Sequence, residues 1–272
     1  MGSQGRQEET LVTDQDNGIV YEDLDEPDAT TAHEYFEALG KQVCSWLDAV
    51  GYDYCVGGIM AQNPLWRGPL SKWKKQLGAW IGASEPDDIL KFDMFFDFRC
   101  VYGATDIAHA LRMAVFEQVK RHNAFLMHFA RNALRYKPPL GWFGQIRTRS
   151  SGEDAPTVDL KEAMMPIVEF ARIYAIREHF VEANTLARLN RMAQMGLLSD
   201  TGHEETVVAY ELLMRLRLRE QAEAIAAGEK PGNHLAPESL TQIEAKTLRE
   251  AFSQVTTIQK HLSYDFLGID ET

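Results

Sequence analysis

Positive charge is scarce in this chain: 28 Lys and Arg stand against 40 Asp and Glu, a formal net charge of −12 over 272 residues. That deficit excludes broad, salt-driven binding to nucleic-acid phosphates and leaves room only for a local basic groove. Cysteine is scarcer still. Cys44, Cys55 and Cys100 are odd in number, widely spaced and form no CxxC, so neither a disulfide framework nor a zinc site is suggested, and buried, reduced thiols are expected. No uninterrupted apolar run approaches the roughly 18 residues of a membrane span. The opening stretch MGSQGRQEETLVTDQDN is polar and has no apolar segment of the kind a signal peptide carries. A cytoplasmic protein with no membrane partner is the expectation. The histidines show no HExxH spacing, Ser150-Ser151 has no nucleophile-elbow context, and no fixed-period repeat is present. What is plentiful is apolar content: 45% of residues are hydrophobic, which excludes disordered and fibrous classes and supplies one large or two ordinary cores.

The first half mixes strand and helix patterns. Residues 17–21 read as a short strand, and residues 22–28, with five carboxylates and a proline, as a solvated loop. Phe36, Leu39, Val43, Trp46, Leu47 and Val50 recur at helical spacing and predict a helix over 33–50, stopped by Gly51. A second helix is predicted over 69–81, with Leu70, Trp73, Leu77, Trp80 and Ile81 on one side and Lys72, Lys74 and Lys75 on a solvated face. Residues 90–102 read as a strand, because Phe92, Met94, Phe96 and Phe98 alternate with Asp93, Phe95, Asp97 and Arg99. A long helix follows from Asp106 to about Arg135, ended by Pro138-Pro139. Residues 145–158, with Ser-Ser-Gly and a proline, form the predicted linker between a domain of residues 1–144 and one of residues 159–272. Beyond it only helices are predicted. Asp159 and Glu162 form a capping signal, Pro166 lies near the first turns of the next helix, and Gly196 and Gly228 close two more, giving a four-helix antiparallel bundle.

Three carboxylates are the candidates for chemistry. Asp14 and Asp16 are two apart at the mouth of a strand, so their side chains leave the same face. Asp97 lies on the polar face of the second predicted strand. If those strands are neighbours the three converge, and a divalent cation relieves the repulsion; hard oxygen donors favour Mg²⁺ or Mn²⁺. The alternative is a turn decorated by Asp14 and Asp16, with Asp97 paired to Arg99. A calcium loop beginning at Asp14 fails, because Gly18 falls one residue early and Asp25 stands where glutamate is required.

Gly2-Ser3-Gln4-Gly5-Arg6, just ahead of Asp14-Gln15-Asp16, resembles the phosphate-holding element of the polymerase-β nucleotidyltransferase superfamily. The stretches GSQGRQEETLVTDQDN, GGIMAQNPLWRG, FFDFRCVYG, DLKEAMMPIVEFARIYAIR and LLMRLRLREQ resemble a narrower bacterial group over nearly the whole chain. These are nucleotidyltransferases of the DUF294 type, similar to the N-terminal domain of PII-protein uridylyltransferases, with a C-terminal helical substrate-binding domain.

The resemblance implies an α+β polymerase-β-like domain followed by an α-helical bundle, and in-line transfer of a nucleotidyl group, uridylyl or adenylyl, from a nucleoside triphosphate to a hydroxyl on a protein or small molecule. It implies that Asp14 and Asp16 hold Mg²⁺ or Mn²⁺, and that Asp97 completes the second metal site and helps deprotonate the attacking hydroxyl. Gly2 and Ser3 would cradle the β- and γ-phosphates, with Arg6 as a charge clamp. The loop of Gly57-Gly58, Asn63, Trp66 and Arg67 would face the nucleotide or acceptor; a structural turn with Trp66 buried is its other reading. The bundle would select the acceptor.

In this superfamily an apolar strand leads into the Gly-Ser pair, whereas here only Met1 precedes Gly2. The expectation is therefore a domain lacking its first strand, in a chain that is the C-terminal part of a longer protein. The cyclic-nucleotide-binding and CBS regulatory domains that often precede this group would lie upstream. A non-catalytic signalling module that binds nucleotide or a partner is the rival reading, and a helical interaction protein with no nucleotide site is a third.

Overall fold

The computed structural model describes residues 1–83, 85–122, 124–141, 144–149 and 156–269. It is an α+β architecture followed by a helical bundle, packed as two compact units: Met1–Glu9 with Thr13–Phe125, and Thr10–Val12 with Leu126–Thr272. The division in packing thus falls ahead of the linker expected at 145–158. Residues 150–155 of that linker, Ser150-Ser151 among them, lie outside the described residues.

In the first unit the chain runs α1 (Gly2–Arg6), β1 (Asp14–Gln15), β2 (Ile19–Tyr21), α2 (Asp28–Ala49), β3 (Asp53–Tyr54), β4 (Arg67–Pro69), α3 (Leu70–Ala83), α4 (Pro86–Phe96) and α5 (Thr105–Arg121). Two short parallel pairs form its sheet structure. β1 pairs with β3, Asp14 beside Asp53 and Gln15 beside Tyr54, and β2 pairs with β4, Ile19 beside Arg67. Between them the Asn17 amide oxygen accepts from the Ala61 N–H at 2.8 Å, and the Asn17 N–H donates to Ile59 O at 3.1 Å.

The helices cover an aromatic layer. Trp66, Trp73, Trp80 and Phe95 are buried, with ring centroids 5.2 Å apart for Trp73–Phe95 and 5.8 Å for Trp66–Trp80. The Trp73 indole N–H donates to Ile19 O at 3.1 Å, which ties α3 to β2 and satisfies the buried polar tip.

The strand predicted over 90–102 is not formed: residues 86–96 are the helix α4. Ile89, Phe92 and Phe96 stand at i, i+3 and i+7 with Phe95 beside them, and all four are buried, whereas Leu90 is exposed and Met94 only half-buried. The aromatic run is dense enough to satisfy both periods, and the start signals decide it: Pro86 opens the helix, with Asp87 and Asp88 in its first turn. The helix predicted over residues 106–135 is divided. α5 ends at Arg121, and α6 (Phe125–Ala133) follows.

In the second unit β5 (Val158–Asp159) pairs antiparallel with β6 (His234–Leu235). α7 (Leu160–Arg177), α8 (Thr185–Gln194), α9 (Asp200–Ala226) and α10 (Gln242–Leu267) form the bundle. Asp159, Asn184, Ser199 and Thr241 each cap the helix that follows through a side-chain oxygen. α7 runs through the core, and its buried Tyr174 donates its hydroxyl to Asp265 on α10. α6 from Leu126 and the segment after it belong here too: Phe129, Ala130 and Ala133 are buried, and Gln259 on α10 donates to Tyr136 O. No helix among the described residues is long and apolar enough to cross a membrane.

At the start of α10, Glu244 accepts from the Thr241 N–H and hydroxyl and pairs with Arg219. These contacts, the backbone bond first, hold its carboxyl down at about 2. A depressed folded pKa stabilises above the ordinary value near 4.5 and loses that contribution as pH falls towards 2. Glu244→Gln is therefore expected to flatten the acid limb of the stability–pH curve in that window. Urea denaturation at stepped pH measures it, and an unchanged acid limb would contradict the assignment.

Candidate functional site

Strand alternation sorts the Asp14-Gln15-Asp16 triplet into two faces. Gln15 turns inward, 1% exposed, and its amide donates to Cys44 O at 3.0 Å and Tyr52 O at 3.1 Å, fixing β1 against the end of α2. Asp14 and Asp16 therefore point the other way, both half-buried. The parallel register that sets Gln15 beside Tyr54 brings the next residue, Cys55, up to Asp16. A carboxylate oxygen of each aspartate and the Cys55 sulfur lie within 4.8 Å of one another. Burial, and then the two aspartates, push the Cys55 thiol up to about 11, so it is protonated at neutral pH.

The N-terminal segment sits on the same strand. The Met1 backbone nitrogen donates to Asp16 O at 2.6 Å, and the Gln4 amide donates to Asp14 O at 3.1 Å. Gly2 has φ +56°, and a Cβ there would stand 3.0 Å from Asp16 Oδ2. A side chain at this position would crowd the carboxylate, and the positive φ also favours glycine. Ser3 follows, half-buried, its carbonyl accepting from the Glu8 N–H.

Asp97 is not on a strand and not in the donor group of Asp14 and Asp16. It ends α4, fully buried, with Oδ2 2.7 Å from Arg6 Nη1. The partner is Arg6 rather than Arg99, whose guanidinium donates to Gln4 O instead. Arg6 also meets Glu8 at 2.7 Å. Burial opposes the Arg6 charge, but Asp97 and Glu8 outweigh it and hold the guanidinium above its ordinary value. Arg6, expected as a phosphate clamp, is committed to carboxylates inside the protein.

Two residues make this arrangement: Arg112, which sequence reasoning passed over, and Gly5, which it named without a role of its own. Arg112 on α5 donates to Phe96 O and Phe98 O, either side of Asp97, and its guanidinium lies 3.9 Å from the Phe98 ring centroid. A cation at the carboxyl end of α4 suits the helix dipole. Gly5 is the point of closest approach, since a Cβ there would stand 1.8 Å from Asp97 O. Gly5 is visible in the sequence, but nothing local marks its neighbour.

The expected nucleotide-facing loop is held by its own backbone. Asn63 accepts from the Leu65 N–H and donates to Gly58 O, both at 3.0 Å. Trp66 is 2% exposed in the aromatic layer. Arg67 is buried, donates to Ala61 O and Gln62 O, and lies 3.5 Å from Glu37. Lys72 is not on a freely solvated face: its ammonium donates to Pro64 O and Arg67 O. Of the three thiols, Cys44 and Cys55 are buried and Cys100 is partly exposed.

A two-carboxylate strand with a glycine backbone held against it is the arrangement that the resemblance to a nucleotidyltransferase domain leads one to expect. The family comparisons agree: residues 1–87 match the family described as "Putative nucleotidyltransferase DUF294", and residues 123–266 match its "Putative nucleotidyltransferase substrate binding domain". The chain belongs to the DUF294 nucleotidyltransferase family. Among curated proteins none matches it.

Two outcomes test this geometry. Gly5→Ala forces α1 away from a backbone carbonyl and is expected to cost about 1–3 kcal/mol in chemical denaturation; an unchanged midpoint would mean α1 is not seated on Asp97. In timed alkylation at pH 8 read by mass spectrometry, Cys100 is expected to label first. Cys100 is the partly exposed thiol, whereas Cys44 and Cys55 are buried and burial pushes Cys55 up to about 11.

Proposed function

We propose that this chain transfers a nucleoside monophosphate, uridylyl or adenylyl, from a nucleoside triphosphate to a hydroxyl on a protein or small molecule, in the cytoplasm. The observation that carries the reading is the shared face of Asp14 and Asp16, with Gly2 against the second carboxylate. Two hard oxygen donors that converge in a half-buried site suit Mg²⁺ or Mn²⁺, and in this reading Asp14 and Asp16 hold it. The cation supplies charge neutralisation for the triphosphate. The backbone at Gly2 and Ser3 contacts the phosphates. In the transfer the acceptor oxygen bonds to the α-phosphorus, the bond from that phosphorus to the bridging oxygen breaks, and pyrophosphate leaves. The acceptor proton passes to a carboxylate or to water.

Arg6 and Asp97 enter this reading as positioning residues, since their pairing fixes α1 and hence Gly2. The second unit, which matches the substrate-binding family, selects the acceptor. One observation favours nucleotide binding without turnover as a second reading: the Asp97 carboxylate pairs with Arg6 instead of joining the other two.

Calorimetric titration of each nucleoside triphosphate with Mg²⁺ or Mn²⁺ tests the proposal without knowledge of the acceptor. The intact protein is expected to bind one base in a metal-dependent way, and Asp14→Asn/Asp16→Asn to weaken that binding at least about 100-fold, the loss of two charge-assisted ligands. Equal binding by the double variant, or none by the intact protein, would overturn it. Pyrophosphate release separates turnover from binding alone.

A further inference from the structure

We propose that Cys55 is a third protein ligand at the Asp14–Asp16 site, which therefore also takes a thiophilic divalent cation, Zn²⁺ or Cd²⁺, in competition with the Mg²⁺ or Mn²⁺ of nucleotidyl transfer. This rests on the reading that Asp14 and Asp16 are metal ligands. The register of β1 and β3 puts the residue after Tyr54 beside Asp16, and the sulfur and both carboxylates lie within 4.8 Å of one another. Donors around one tetrahedral cation, with metal–oxygen and metal–sulfur bonds of about 2.0 and 2.3 Å, stand about 3–4 Å apart. Small rotations of the two carboxylates close that gap.

Among the described residues this is the one group of His, Cys, Asp and Glu donors gathered for a metal. Cys44 Sγ lies 3.6 Å from Asn17 Oδ1 and Cys100 Sγ 3.6 Å from Tyr102 O, whereas the Cys55 thiol meets the Asp16 carboxylate and the Ile59 backbone. The site also has a way in, since Val56 and Gly57, directly after Cys55, are exposed.

Ligand chemistry then divides the cations. Two carboxylates alone favour hard Mg²⁺ and Mn²⁺, whereas a sulfur donor shifts preference to Zn²⁺ and Cd²⁺. Three protein ligands with a further position open is also the usual state of a zinc site that exchanges its fourth ligand. A thiophilic ion held there would displace the transfer metal and stop turnover, making the site sensitive to free zinc.

As the metal–sulfur bond forms, the Cys55 S–H bond breaks and its proton passes to solvent. Cd²⁺ titration of the full chain, read by the ultraviolet charge-transfer band of a cadmium–thiolate bond, tests this. One equivalent is expected to produce the band and to release bound Mn²⁺, followed by electron paramagnetic resonance. Cys55→Ser is expected to lose the band and keep Mn²⁺, and Asp14→Asn/Asp16→Asn to weaken Cd²⁺ at least about 100-fold with Cys55 intact. A band that survives Cys55→Ser, or one unaffected by the double variant, would overturn the proposal. So would Mn²⁺ that binds the intact protein but is not displaced, and in that case the Asp14–Asp16 metal site stands. Failure of both ions to bind removes the site itself. The Mn²⁺ competition on the unsubstituted chain needs no variant to fold.

Discussion

Burying a single charge in an apolar layer costs several kcal/mol unless an opposite charge meets it with good geometry, and in the first unit that condition is met between Arg6 and Asp97. Much of the surrounding structure is what the pairing requires. Asp97 closes α4, whose Phe92, Phe95 and Phe96 belong to the aromatic core, so its carboxylate has no water to turn to. Arg6 reaches it only because α1 lies against the Asp97 backbone, which Gly5 alone permits at that distance. Arg112 then takes the carbonyls on either side, keeping the end of α4 open in the direction of α1.

The consequence runs from the core to the half-buried carboxylates of Asp14 and Asp16. α1 has five residues and cannot hold its own shape by helix propensity. It is held at one end by Arg6 in the core and at the other by Met1 and Gln4 on the backbone of β1. Gly2 is therefore fixed beside Asp16 by contacts made up to 91 residues away in sequence. A site that needs backbone placed to a fraction of an ångström gains that placement from a buried ion pair rather than from the loop itself.

This explains which parts were legible. The bundle was, because each of its helices carries local punctuation: Asp159 opens α7, and left-handed glycines at 196 and 228 follow α8 and α9. The shared face of Asp14 and Asp16 was legible for the same reason, since alternation is local. α4 was misread because a run with apolar residues at 92, 94, 95, 96 and 98 fits a strand and a helix alike, and only the Pro86-Asp87-Asp88 start separates them. Arg112 and Cys55 carry no local mark at all, and Arg6, which the Gly-Ser element does mark, is expected at phosphate and not at Asp97. Their partners are set by tertiary contact or strand register, which a single sequence does not display.

Register also accounts for the composition of the candidate site. The residue between the two aspartates had to be able to enter the core, and a charge there would have met the buried backbone of α2 with nothing to neutralise it. Gln15 solves this with a neutral amide that satisfies two carbonyls. The residue facing Asp16 across the ladder had to be small and tolerant of a carboxylate, and Cys55 fits as a weak donor that keeps its proton at neutral pH. The same strand pair that keeps two negative charges on one face thus places a neutral sulfur beside them. In the proposed reading, a cation bound by Asp14 and Asp16 relieves the repulsion between them.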